Sequence, residues 1–186
     1  MSKTTSGLML GLFTLAAGCG QDSMGATGTS ALAARGGMDR TVLEATLHGV
    51  PRPFTGAASA IRGVPGGGLP WVLAEGKAAL HADGTLEAQV EGLVFDPADP
   101  AAIARGVGGT NTVPQAKAIV SCLTIQDGAA VTVNVASAPV AFTTGAVADG
   151  GGSASIQERL ALPSPCLAPI VFVTSPAGAW FAATGF

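Results

Sequence analysis

From Thr41 onward the apolar positions recur at short range. Thr41 to His48 alternates, with Val42, Glu44, Thr46 and His48 on one face and Leu43, Ala45 and Leu47 on the other. A period of two predicts a half-buried strand. The clearest unit is the stretch WVLAEGKAALH, then Ala82-Asp83-Gly84, then TLEAQVEGLVF, spanning Trp71 to Phe95. In its second run Leu86, Ala88, Val90 and Gly92 share one face, and Glu87, Gln89 and Glu91 share the other. An Asp-Gly turn between alternating runs predicts a hairpin, with Gly84 supplying the positive φ of the turn.

Further runs predict further strands. Ala116–Ile125 and Ala130–Val135 are apolar and rich in β-branched residues. Ser153–Leu162 alternates less cleanly and contains Gln157, Glu158 and Arg159. It reads as a strand because three glycines precede it and Pro163 and Pro165 end it. Ile170–Thr174 is continuously apolar up to its last residue, which predicts burial on both faces. Ala179–Thr184 closes the series. One short helix is predicted, capped by Asp99, opened by Pro100 and ended by Gly106. About eight short strands with Gly, Pro, Asp and Asn between them predict an all-β fold, an antiparallel β-sandwich or partly open barrel. No helices of crossover length are predicted, which argues against a parallel sheet.

The first 40 residues differ in character. Lys3 is followed by the apolar run Leu8–Ala17, well short of the roughly 20 residues a spanning helix needs. Ala16, Ala17 and Gly18 then lead into Cys19. A charge, a short apolar run and small residues, in that order, form a secretory signal. Gln21 to Arg40 is Gly-, Ala-, Ser- and Thr-rich, the composition of a flexible spacer. The expected organisation is a signal over residues 1–18, Cys19 with a linker to residue 40, and a folded β domain over residues 41–186.

Composition narrows the chemistry. The 186 residues carry nine Lys plus Arg, scattered singly, and a net charge of -3, so no basic patch for nucleic acid is expected. Two His and three Cys lie too far apart for a standard zinc site, and no metal or cofactor is expected. No G-x-S-x-G elbow occurs, and no His follows His81. A hydrolase would have to use His48 or His81 with Ser or Asp partners in another chain order. Glu87 and Glu91, with Glu75 on the facing strand, are candidate paired carboxylates. Along one strand four residues separate them by about 13 Å, beyond the usual glycosidase spacing, so a solvated outer face is the expectation. Asp96 and Asp99 offer oxygens to Ca2+ but lack the alternating spacing of calcium loops, and turn and cap duty is expected instead. The glycine runs at 66–68 and 106–109 lack the Lys-Ser/Thr of a phosphate loop. Trp71 and Trp180 would serve either as an aromatic platform or as core, and their apolar neighbours favour core.

The residues Leu15-Ala16-Ala17-Gly18-Cys19 resemble a bacterial lipoprotein signal, although Ala16 stands where that family usually carries Leu. The resemblance implies cleavage before Cys19, lipid on Cys19, and an exported protein held at a cell or outer membrane surface. Stable anchoring needs two or more acyl chains. Lipidation of Cys19 leaves Cys122 and Cys166. Outside the cytosol they are expected to pair, the alternative being two buried thiols that pack as small hydrophobes. Ile61–Trp71, Asp83–Val94, Val120–Thr124 and Leu162–Gly185 resemble blocks of uncharacterised exported proteins from GC-rich bacteria. That family implies no catalytic or binding residues. The expected function is a lipid-anchored envelope protein with a non-catalytic binding or structural role. The alternatives are a secreted hydrolase and a carrier of small apolar ligands.

Overall fold

The computed structural model describes residues 40–185. The signal, Cys19 and the spacer lie outside the described residues. Thirteen strands run from β1 (Thr41–Gly49) through β2 (Trp71–Val72), β3 (Glu75–His81), β4 (Thr85–Glu91), β5 (Val94–Phe95), β6 (Thr110–Asn111), β7 (Gln115–Gln126), β8 (Ala129–Ala136), β9 (Val140–Ala141), β10 (Gly145–Ala146), β11 (Ala154–Arg159) and β12 (Leu167–Thr174) to β13 (Trp180–Thr184). Helix α1 is Pro100–Ala104. Eight strands form one open, curled antiparallel sheet in the order β11-β4-β3-β1-β13-β12-β7-β8. Of the two expected architectures it is the partly open barrel.

Alternation sets the faces as expected. Along β4 Leu86, Ala88 and Val90 are buried while Glu87, Gln89 and Glu91 are exposed. Along β3 Gly76, Ala78 and Leu80 are buried opposite them. The hairpin turn is in place, with Leu80 paired to Leu86, Gly84 at φ 88 and its N–H donating to His81 O. One departure is that the two runs of this hairpin are not continuous. Both break between β3–β4 and the short ribbon β2–β5, in which Trp71 faces Phe95. The break turns Trp71 into the core, where its ring lies 4.1 Å from that of Phe181 and 4.2 Å from that of Phe95.

Val171 to Thr174 are all buried, as the continuous apolar run implied, and so is every residue of β13. Residues 50–70 pack alongside these central strands and bring Val50 and Val64 into the core. Beyond Gly49 the chain leaves β1, and residues 65–67 take up its place beside β13. Trp180 N donates to Pro65 O, and Gly67 N donates to Trp180 O, each at 2.8 Å. From the same segment Arg62 Nη1 donates to the carbonyls of Ser121 and Ala168, which ties it across β7 and β12. The weak Ser153–Leu162 candidate is the strand β11, paired to β4 over six residues.

A disulfide joins Cys122 of β7 to Cys166, just ahead of β12. Cys122 is fully buried. The bridge sits beside the ladder pair Leu167–Leu123 and staples two neighbouring strands across 44 residues of chain.

Candidate functional site

An open cleft of about 870 Å3 lies beyond the end of β1. Its walls come from three stretches distant in sequence. The β1 exit contributes His48, Pro51 and Arg52, the β2 strand contributes Trp71, Val72 and Leu73, and the cap of α1 contributes Asp96 and Asp99. Proline follows from both sides of the cleft, since Pro51, Pro70 and Pro100 all line it. Each stops a backbone from donating a hydrogen bond there and keeps the wall from extending as sheet.

The polar groups of this cleft are largely engaged. Asp99 Oδ1 accepts from the N–H of Ala101 and of Ala102, the cap that the Asp-Pro pair predicted. Asp99 Oδ2 accepts from Arg52 Nε at 2.8 Å. The Arg52 hydrogen bond, with lesser help from the helix N–H groups, holds the Asp99 carboxyl below its usual range against the opposing effect of burial. Asp99 in turn pushes the Arg52 guanidinium up. Asp96 Oδ1 accepts from Ala98 N in the turn before the helix. Both aspartates therefore perform turn and cap duty, as expected. Arg52 is the exception, because only Nε is used and its two terminal nitrogens have no partner among the described residues. Val72 beside it is an exposed large apolar side chain.

His81 lies elsewhere. It lines a second cleft of about 410 Å3 at the opposite end of β1, together with Asp83, Ser164, Leu162, Pro165 and Arg40. The His81 Nδ1 atom is buried with no hydrogen-bond partner among the described residues. Asp83 does not orient it. Its carboxylate accepts from the N–H and then the hydroxyl of Thr85, and these bonds lower its pKa. His, Asp and Ser thus share a wall without forming the linked chain of hydrogen bonds that a triad uses.

The other candidates separate from both clefts. Glu75, Glu87 and Glu91 are exposed on the outer face of the hairpin. Glu75 faces Glu91 directly across the β3–β4 ladder, a proximity that spacing along one strand does not reveal. Trp71 and Trp180 are both core residues, at 3% and 0% exposure. Cys19 lies outside the described residues. Among the described residues no group of three or more His, Cys, Asp and Glu is placed to hold a metal ion, and no helix is long and apolar enough to cross a membrane. The one residue that sequence reasoning missed is Arg52. Its partner is 47 residues away, and a lone Arg between prolines carries no pattern of its own.

No protein-family model, no curated protein and no solved structure matches the chain.

Proposed function

We propose that the protein is exported and lipid-anchored through Cys19, and that its half-barrel is a non-catalytic binding module whose site is the cleft at His48, Arg52 and Val72. The observation that carries the binding reading is the division of labour in that cleft. Both carboxylates are held by backbone caps and by Arg52 Nε. Among the described lining residues there is no Ser, Thr or Cys to act as a nucleophile. What remains is an apolar wall of prolines, Val72 and Leu73 with a half-free guanidinium at its edge. Such a surface suits a ligand with an apolar body and one acidic group, which a guanidinium binds in a planar fork. A carrier of small apolar ligands would use the same cleft.

Titration with anilinonaphthalene sulfonate, an apolar sulfonate, tests the site. Saturable binding is expected, weakened about tenfold by Arg52→Gln, in line with the loss of a charge-assisted bond. Val72→Glu should abolish it. Equal binding by all three proteins would discard this cleft. The anchoring half is tested separately. Labelled palmitate should enter the parent protein and not Cys19→Ser, and the variant should leave the membrane fraction.

A second reading, a hydrolase, is favoured by one observation, the shared wall of His81, Asp83 and Ser164. Turnover of activated esters by the purified protein, lost in both His81→Ala and Ser164→Ala, would select it over the binding module.

A further inference from the structure

The two edges of the curled sheet are built differently. The β11 edge carries Gln157, Glu158 and Arg159 and is partly closed. Glu158 Oε2 accepts from Ala138 N, and Thr143 and Ser153 exchange hydrogen bonds beside it. Charge and coverage are the usual protections of an edge strand. The β8 edge carries no charge, and its contact with the 61–64 segment is a side-chain one, Asn134 Nδ2 donating to Arg62 O at 3.0 Å, which leaves its backbone edge unpaired among the described residues. Its eight residues, AAVTVNVA, contain no charge and no proline, and all are exposed or half-buried. β8 pairs with β7 along its whole length. Among the described residues no backbone hydrogen bond crosses its other side.

The register says which groups point outward. Ser137 N donates to Ala118 O, one step beyond the Ile119–Ala136 pair. Hydrogen-bonded and non-hydrogen-bonded pairs alternate in an antiparallel ladder. Residues 129, 131, 133 and 135 therefore bond to β7, and Ala130, Thr132, Asn134 and Ala136 direct N–H and C=O away from the sheet.

We propose that β8 is a self-association edge, on which a second copy of this chain pairs antiparallel about a two-fold axis at Val133. The strand is complementary to itself in that register and parity. Thr132 meets Asn134 of the copy and Ala130 meets Ala136, all outward-directed residues able to exchange both bonds. Val133 meets its own equivalent, and Val131 meets Val135, so three half-buried valines from each copy form one apolar row. No charge opposes a charge. Shifting the register by one residue would place inward-bonding residues at the bonding positions. Shifting it by two would leave strand ends unpaired. The pairing is isologous and closes, so it makes a dimer rather than a fibre. A single strand pair is small beside standard interfaces, so the association is reversible and concentration-dependent.

Sedimentation velocity on the full chain tests this. The average mass should rise with concentration toward twice that of one chain. Thr132→Pro removes an outward N–H without touching the β7 ladder, a substitution edge strands tolerate. It should hold the protein at the single-chain mass with an unchanged circular dichroism spectrum. In full chain carrying Cys19→Ser, Val133→Cys should cross-link to its equivalent on mild oxidation, since non-bonded antiparallel pairs approach to ~4.5 Å between Cα atoms. Val131→Cys should not. A single-chain mass at every concentration overturns the proposal. So does association that survives in folded Thr132→Pro. Should that variant not fold, the cysteine pair decides, and cross-linking at 131 equal to that at 133, or at neither, overturns it.

Discussion

Replacing Gly152 by Ala isolates a steric cost that burial alone would not reveal. Gly152 lies between β10 and β11 at φ +84, and its carbonyl accepts from Leu93 N at 2.9 Å. A Cβ there would sit 2.6 Å from both the N and the O of Leu93, backbone atoms that no rotamer change can move. Gly128, in the β7–β8 turn, supplies the control. Its φ is +78, yet nothing lies within 4 Å of its missing Cβ. Both substitutions put an L-residue in left-handed backbone at a cost of about 1 kcal/mol. Gly152→Ala adds overpacking against the β4–β5 connection, typically about 1–3 kcal/mol more. The expected losses are thus about 1 kcal/mol for Gly128→Ala and about 2–4 kcal/mol for Gly152→Ala. Urea unfolding followed by the fluorescence of buried Trp71 and Trp180 measures both. Equal midpoints at unchanged slope would refute the claim that the Leu93 backbone, rather than φ, dominates at Gly152.

Reducing the Cys122–Cys166 bridge should cost about 4 kcal/mol, from the chain-entropy model for a loop of 44 residues, read as a drop in the urea midpoint with dithiothreitol. Leu86→Ala, at a fully buried position facing Leu80 across the hairpin, should cost about 2–5 kcal/mol in the same assay. Asp83 and Asp99 titrate below the ordinary carboxylate range when folded. Their contribution to stability is therefore present above the unfolded carboxylate range and fades as pH falls through the lowered folded values, because the unfolded chain binds protons first. Asp99→Asn should make stability less steep in pH at acid pH, and an unchanged slope would show that the Arg52 contact does not hold the carboxylate.

What could be read from the chain was local. Period two gave the inward faces of β1 and β4, because a pleated strand exposes every second side chain wherever it lies. The Asp99-Pro100 pair located the helix, because a cap forms with the N–H groups two and three residues on. The continuous run at 170–174 told of a strand buried on both sides, which holds for Val171 to Thr174 while Ile170 is half-buried. What packs alongside it was not legible. Residues 50–70 look like a loop of Pro and Gly, and only the ending of β1 at Gly49 opens the slot beside Trp180 that residues 65–67 fill. The clefts were illegible for the same reason, since each wall comes from a different part of the chain. His48 and His81 stand at comparable places in their strands, yet β1 and β3 run antiparallel and carry them to opposite ends of the sheet.

That antiparallel arrangement also sets where the two clefts lie relative to the chain's entry into the fold. The chain enters the fold at Arg40, next to the β3–β4 turn, and β1 then climbs from Thr41 to His48, roughly 23 Å at ~3.3 Å per residue. The Arg52 cleft therefore lies at the end of β1 farthest from where the chain enters the fold, and the His81 cleft lies at the end beside that entry.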